Sequence, residues 1–110
     1  MKISYRQAAS DDLVRQFRYY LVTLNLPKIA VRFQDAVRHT LQAVRERPRA
    51  GPLYRLRNLQ LQDLRSWPVT GFEMIRIYYR SEADAVYVIR ILHGKQDVRR
   101  ILEHERPADN

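Results

Sequence analysis

The chain has 110 residues, 45% hydrophobic and 29% charged, with a formal net charge of +8 and no cysteine. That length suits one domain with a real core, and charges mixed among apolar residues argue against wholesale disorder. The missing cysteines exclude disulfides, thiolate metal sites and a cysteine nucleophile, and His39, His93 and His104 lack the paired spacing of a zinc site.

Residues 1–6 carry no apolar stretch of signal-peptide length, and no run approaches the ~20 apolar residues that span a bilayer. A soluble, cytoplasmic protein without metal or cofactor is expected. Seventeen of the 20 cations are arginine. Such a surface attracts nucleic acid or an acidic protein, because guanidinium pairs bidentately with phosphate and carboxylate. The plainer alternative is that solvated arginines keep a small domain in solution.

Residues 2–5 alternate polar and apolar and predict a short strand. Leu13, Phe17, Tyr20, Leu21 and Leu24 follow at helical spacing, with Asp11 and Asp12 placed early, where negative charge suits a helix start. Asn25-Leu26-Pro27 interrupts the pattern; asparagine can cap, and proline fits a first turn. A second helix carries Ala30, Phe33, Val37, Leu41 and Val44 on one stripe and ends before Pro48 in the turn-rich stretch 47–52. So short a link predicts an antiparallel helical hairpin, whose stripes one sheet can cover.

Three strands are expected in the second half. The first runs near 57–64, with Leu59 and Leu61 in alternation. The second, 72–80, sets Ile75, Ile77 and Tyr79 against Met74, Arg76 and Tyr78. The third, 85–92, is apolar on both faces and therefore interior. Stretches 66–71 and 81–84 supply the turns. Past Gly94, which lets the chain turn sharply, 97–103 forms a short helix with Val98, Ile101 and Leu102 inward. Residues 105–110 have no reason to be ordered. The expected fold is α+β, in the order β-α-α-β-β-β plus a C-terminal helix. A helical hairpin packs on a mainly antiparallel four-stranded sheet, within one domain over 1–104.

This order, with four local patterns, resembles the RelE/ParE toxins of bacterial type II toxin–antitoxin systems over roughly residues 2–102. The patterns are Ala8-Ala9-Ser10-Asp11-Asp12-Leu13 after the first strand, the Pro48 to Gly51 turn, the strand Gly71-Phe72-Glu73-Met74-Ile75-Arg76-Ile77-Tyr78-Tyr79-Arg80, and Val88-Ile89-Arg90-Ile91-Leu92-His93-Gly94-Lys95-Gln96-Asp97. The last is similar to a ParE ending.

The resemblance implies one of two activities. RelE-like members cut mRNA on the ribosome, which takes a proton acceptor, a proton donor and cations around the phosphate. Here Arg55, Arg57 and Arg76 are the candidate cations, and His93 the candidate acid or base. Gln96 stands where RelE-like chains carry arginine, and Leu102 near the place of their tyrosine; neither does that chemistry. ParE-like members inhibit DNA gyrase without nuclease activity. The resemblance therefore favours a ParE-like toxin that is not an enzyme, with a RelE-like mRNA interferase as alternative.

For a gyrase inhibitor the candidate target-binding residues are His93, Gly94, Lys95, Asp97, Arg99 and Arg100. A toxin also implies a cognate antitoxin in a hetero-oligomer, its acidic, partly disordered segment folding on the domain as a helix or an edge strand. Arg15, Arg18, Arg32, Arg38 and Arg45 are the candidate antitoxin-binding residues. Plainer roles stand beside these: His93 as a strand-end histidine bonded to backbone, Arg76 solvated on an open sheet face, the helix arginines solvated. A third reading, a non-toxic nucleic-acid-binding module, would stack RNA on Arg76, Tyr78, Arg80 and Tyr87.

Overall fold

The computed structural model describes residues 1–106. Strand β1 (Lys2–Tyr5) leads into helix α1 (Gln7–Arg18), whose last stretch widens into a π-helical turn, Tyr19–Thr23. Asn25 then lies in the left-handed region at φ 52°, which asparagine tolerates, and Pro27 opens helix α2 (Pro27–Glu46). Strands β2 (Arg65–Val69), β3 (Phe72–Glu82) and β4 (Ala85–His93) and helix α3 (Val98–Glu103) complete the chain.

The α2 stripe is as expected: Ala30, Phe33, Val37, Leu41 and Val44 are all buried. The first stripe drifts. Tyr20 packs on Phe33 and Phe72, with ring centres 5.6 and 5.7 Å away, whereas Leu21 and Leu24 are exposed. The π turn carries an extra residue per turn and so rotates the side chains beyond it out of phase.

The strand expected near 57–64 is not there. That stretch holds a 3-10 turn (Leu59–Leu61) begun by Asn58, whose side chain accepts from the Gln60 N–H, and Leu59 is 82% exposed. β2 lies instead where a turn was expected. Pro68 disguises it, but β2 is an edge strand, where a missing N–H costs no ladder bond. The turn has shrunk to Thr70-Gly71, with Gly71 at φ 82° as a two-residue hairpin demands. β3 is longer than expected, running through Glu82.

The sheet order is β1-β4-β3-β2; β1 is parallel to β4 and the other pairs are antiparallel. β4 is interior, as its two apolar faces require. Val37, Leu41 and Val44 of α2 meet Ile75, Ile77, Tyr79, Val86 and Val88 on one side of the sheet. The other side is not open. Leu61 and Leu64 join Tyr78, Ile89, Leu92 and Leu102 of α3 in a second core, with Tyr54, Tyr87, Val98 and Ile101 around it. Tyr78 is therefore buried and Arg80 pairs with Asp63 at 2.8 Å, so the expected RNA-stacking platform is covered.

Gly51 is needed for close approach, since a Cβ there would stand 2.5 Å from the Tyr79 hydroxyl and 2.7 Å from the Ser66 carbonyl. Gly94 stands in a turn directly after β4, as expected; among the described residues positive φ occurs only at Asn25 and Gly71. The chain turns at Gly94 without left-handed backbone, its N–H donating to the Met74 carbonyl at 2.7 Å.

Candidate functional site

Between Val88 and Arg90 the β3–β4 register skips Ile89, so two β4 steps answer one on β3. Such a bulge re-aims side chains. Ile89 and Leu92 belong to the second core and Ile91 to the helix-side core. Between these apolar neighbours Arg90 reaches the buried Asp12 of α1 bidentately, Nε to Oδ2 at 2.7 Å and Nη2 to Oδ1 at 2.8 Å. Asp12 also accepts from the Ile91 N–H at 2.9 Å and from Arg15 Nη1 at 3.0 Å.

Glu105 closes the arrangement from the far end of the chain, accepting from Arg90 Nη1 and, at 2.7 Å, from Arg6 Nη1. Asp12 holds the Arg90 guanidinium yet more firmly protonated than usual, against the opposing effect of burial. The expectation of a loose tail from residue 105 is thus corrected for Glu105 and Arg106, whose carbonyl Arg6 also bonds. Residues 107–110 lie outside the described residues.

The loop after β4 folds on itself. His93 N–H donates to Gln96 Oε1 at 2.7 Å, and Lys95 N–H donates to His93 Nδ1 at 3.0 Å. Asp97 and Arg100 are exposed. Arg99 is exposed too but engaged: Nη1 donates to the Arg55 carbonyl at 3.0 Å, and the guanidinium lies 5.4 Å from the centre of the Tyr54 ring. α3 is bound to the 3-10 segment through Glu103, which accepts from the Arg57 and Asn58 N–H groups. These donors, Arg57 first, hold the Glu103 carboxyl below its ordinary range.

The four candidate nuclease residues do not converge. Arg55 and Arg57 are exposed beside α3. Arg76 bonds the Ser66 hydroxyl of β2, at 3.0 Å from Nη2. His93 lines two clefts, one shared with Gln16 and Tyr19 and one with Phe72 and Met74; neither is lined by any of the three arginines. Leu102 is fully buried.

On the hairpin, Arg18 and Arg32 are exposed, Arg45 is bonded to Gln42 and Arg38 to Asp35. An apolar groove of about 490 Å³ opens between α1 and α2, lined by Tyr5, Leu13, Val14, Phe17, Val37 and Arg38 among others. No helix among the described residues is long and apolar enough to cross a membrane. Asp12, Arg90 and Glu105 were not among the candidate site residues named from the sequence, and Asp12, read there as favouring a helix start, lies beyond the first turn of α1. The available signal was Arg90 itself, a charge between Ile89 and Ile91 in an interior strand, which demands a buried carboxylate.

The family model "ParE toxin of type II toxin-antitoxin system, parDE" matches residues 3–98. The chain belongs to the ParE toxin family. Among solved structures, this ParE-family chain is similar to one titled "Chromosomal ParDE TA system from P. aeruginosa", with a TM-score of 0.66. The two share 16% sequence identity, and the match covers 84% of this chain and 95% of the other, a likeness of fold. No curated protein matches.

Proposed function

We propose that this ParE-family toxin binds and inhibits DNA gyrase rather than cutting RNA, and that a cognate antitoxin neutralises it in the cytoplasm. One observation carries the choice of mechanism: of the two clefts described at His93, neither is lined by Arg55, Arg57 or Arg76. Phosphodiester cleavage takes an acid, a base and cations around a single phosphate. Arg76 is one rung along β3 from Ile75, the partner of His93, and so points to the opposite face of the sheet, while Arg55 and Arg57 lie beside α3. The surface offered to the target is the end of β4 and the loop behind it: His93, Gly94, Lys95, Asp97 and Arg100, with Arg99 at its margin.

The antitoxin reading is supported by the groove between α1 and α2, an apolar channel with Arg38 on its wall that suits an amphipathic helix carrying a carboxylate. The sheet's two edges also differ. Beside β2, Ser66 N–H is already spent on the Pro52 carbonyl and Pro68 has none to offer, which leaves the β1 edge for an added strand.

The test is induction of the chain alone in a bacterial host, with DNA replication and mRNA integrity assayed separately. Growth arrest with a DNA-damage response and intact mRNA is expected, reproduced as gyrase inhibition in vitro and unchanged by Arg76→Ala. Rapid cleavage of translated mRNA, lost in Arg76→Ala or His93→Ala, would replace this reading with the interferase.

A further inference from the structure

We infer that the cleft between the π turn of α1 and the end of β4 receives a carboxylate side chain from an acidic protein segment, that of the proposed antitoxin, on whose toxin reading the inference rests. The cleft holds about 350 Å³, within the range of small-ligand pockets. It joins residues that looked separate in the sequence: Arg15, a candidate for the antitoxin, and His93 and Lys95, candidates for the target.

Its lining donates hydrogen bonds and carries positive charge. The one carboxylate there, Asp12, is only 2% exposed, and its two oxygens already accept four donors. Arg90 satisfies that carboxylate bidentately. Arg15 is the second cation on it, attached through one bond, and its side chain stays 62% exposed. Among the described residues no carboxylate lies within ion-pair reach of Lys95.

His93 Nδ1 accepts from the Lys95 N–H, so the neutral ring must carry its hydrogen on Nε2 and offer it as a donor. Gln96 accepts through its carbonyl oxygen from the His93 N–H, which leaves its NH₂ as a donor. Tyr19 and Ile91 give the cleft apolar walls that suit the methylenes of a glutamate and would find nothing to pack on in a phosphate. The π turn sets Tyr19 there while turning Tyr20 into the core. An antitoxin carboxylate seated on Arg15 would cover His93 and Lys95, so neutralisation would proceed by occluding the target face.

The full chain, labelled with ¹⁵N, is titrated at constant ionic strength with N-acetyl-glutamate methylamide, its glutamine counterpart and inorganic phosphate. Saturable shifts at the His93 ring, the Lys95 amide and Arg15 Nε are expected for glutamate alone. Arg15→Gln and Lys95→Gln should each weaken binding about fivefold, Lys95→Gln with an unchanged Tm because its side chain is exposed and holds no ion pair among the described residues. Equal response to the glutamine probe, equally tight phosphate, no saturation, or shifts spread evenly over Arg32 and Arg45 would overturn the inference. A chain that binds the glutamate probe but arrests no growth would retire the toxin reading alone.

Discussion

Asp12 stands in the first half of α1 and joins α1 to the interior strand, because Arg90 and the Ile91 N–H both end on its carboxylate. Asp12→Ala would leave that buried N–H without an acceptor and Arg90 with Glu105 alone. Breaking one partner of a buried ion pair costs about 3–5 kcal/mol, since the surviving charge stays desolvated. The urea midpoint of Asp12→Ala should fall accordingly. Asp12→Asn, which keeps an oxygen for the Ile91 N–H, should lose distinctly less; equal losses would mean the amide bond is immaterial.

At the scale of elements, α3 is only six residues long and could not persist alone. Leu102 anchors it in the second core, and Asn58 caps its end. Asn58 Nδ2 donates to the Leu102 carbonyl at 3.0 Å, the Glu103 carbonyl at 3.2 Å and the Glu105 carbonyl at 2.9 Å. A residue 44 positions away in the chain thus satisfies carbonyls that a helix end leaves open. Asn58→Ala should cost about 1–2 kcal/mol, the range of a lost cap with more than one bond. Hydrogen exchange should localise the loosening to α3 and the loop before it. Uniform loss of protection would show that α3 opens only with the whole domain.

For the whole molecule, cover on both faces of the sheet has a consequence for pH. Burial raises the pKa of Tyr5, Tyr20, Tyr78 and Tyr79 above the ordinary tyrosine value near 10. The fold therefore favours the neutral phenols, while the unfolded chain ionises first. Their contribution is fully present below about pH 10 and is lost as pH rises from there through the folded pKa values. Urea midpoints measured from pH 8 to 11 should drop above about 10, and Tyr78→Phe should flatten the drop. A flat profile in the parent chain would mean the phenols are hydrated in the folded state.

Much of the fold was legible from local pattern. The α2 stripe and the inward side of α3 are consequences of short-range periodicity, which a chain shows wherever one face meets a core and another meets water, and β4 is apolar on both faces because a core covers each. β2 was not legible, because Pro68 and the brevity of the hairpin turn speak for a loop until the strand is seen at an edge. The partner of Arg90 was not legible either: Asp12 lies 78 positions away, and no spacing rule links them. The same holds for the candidate site. His93 and Lys95 could be named from the chain, and so could Arg15. Only the packing of α1 against β4 puts the three around one cleft, since that contact is made across the fold and not along the sequence.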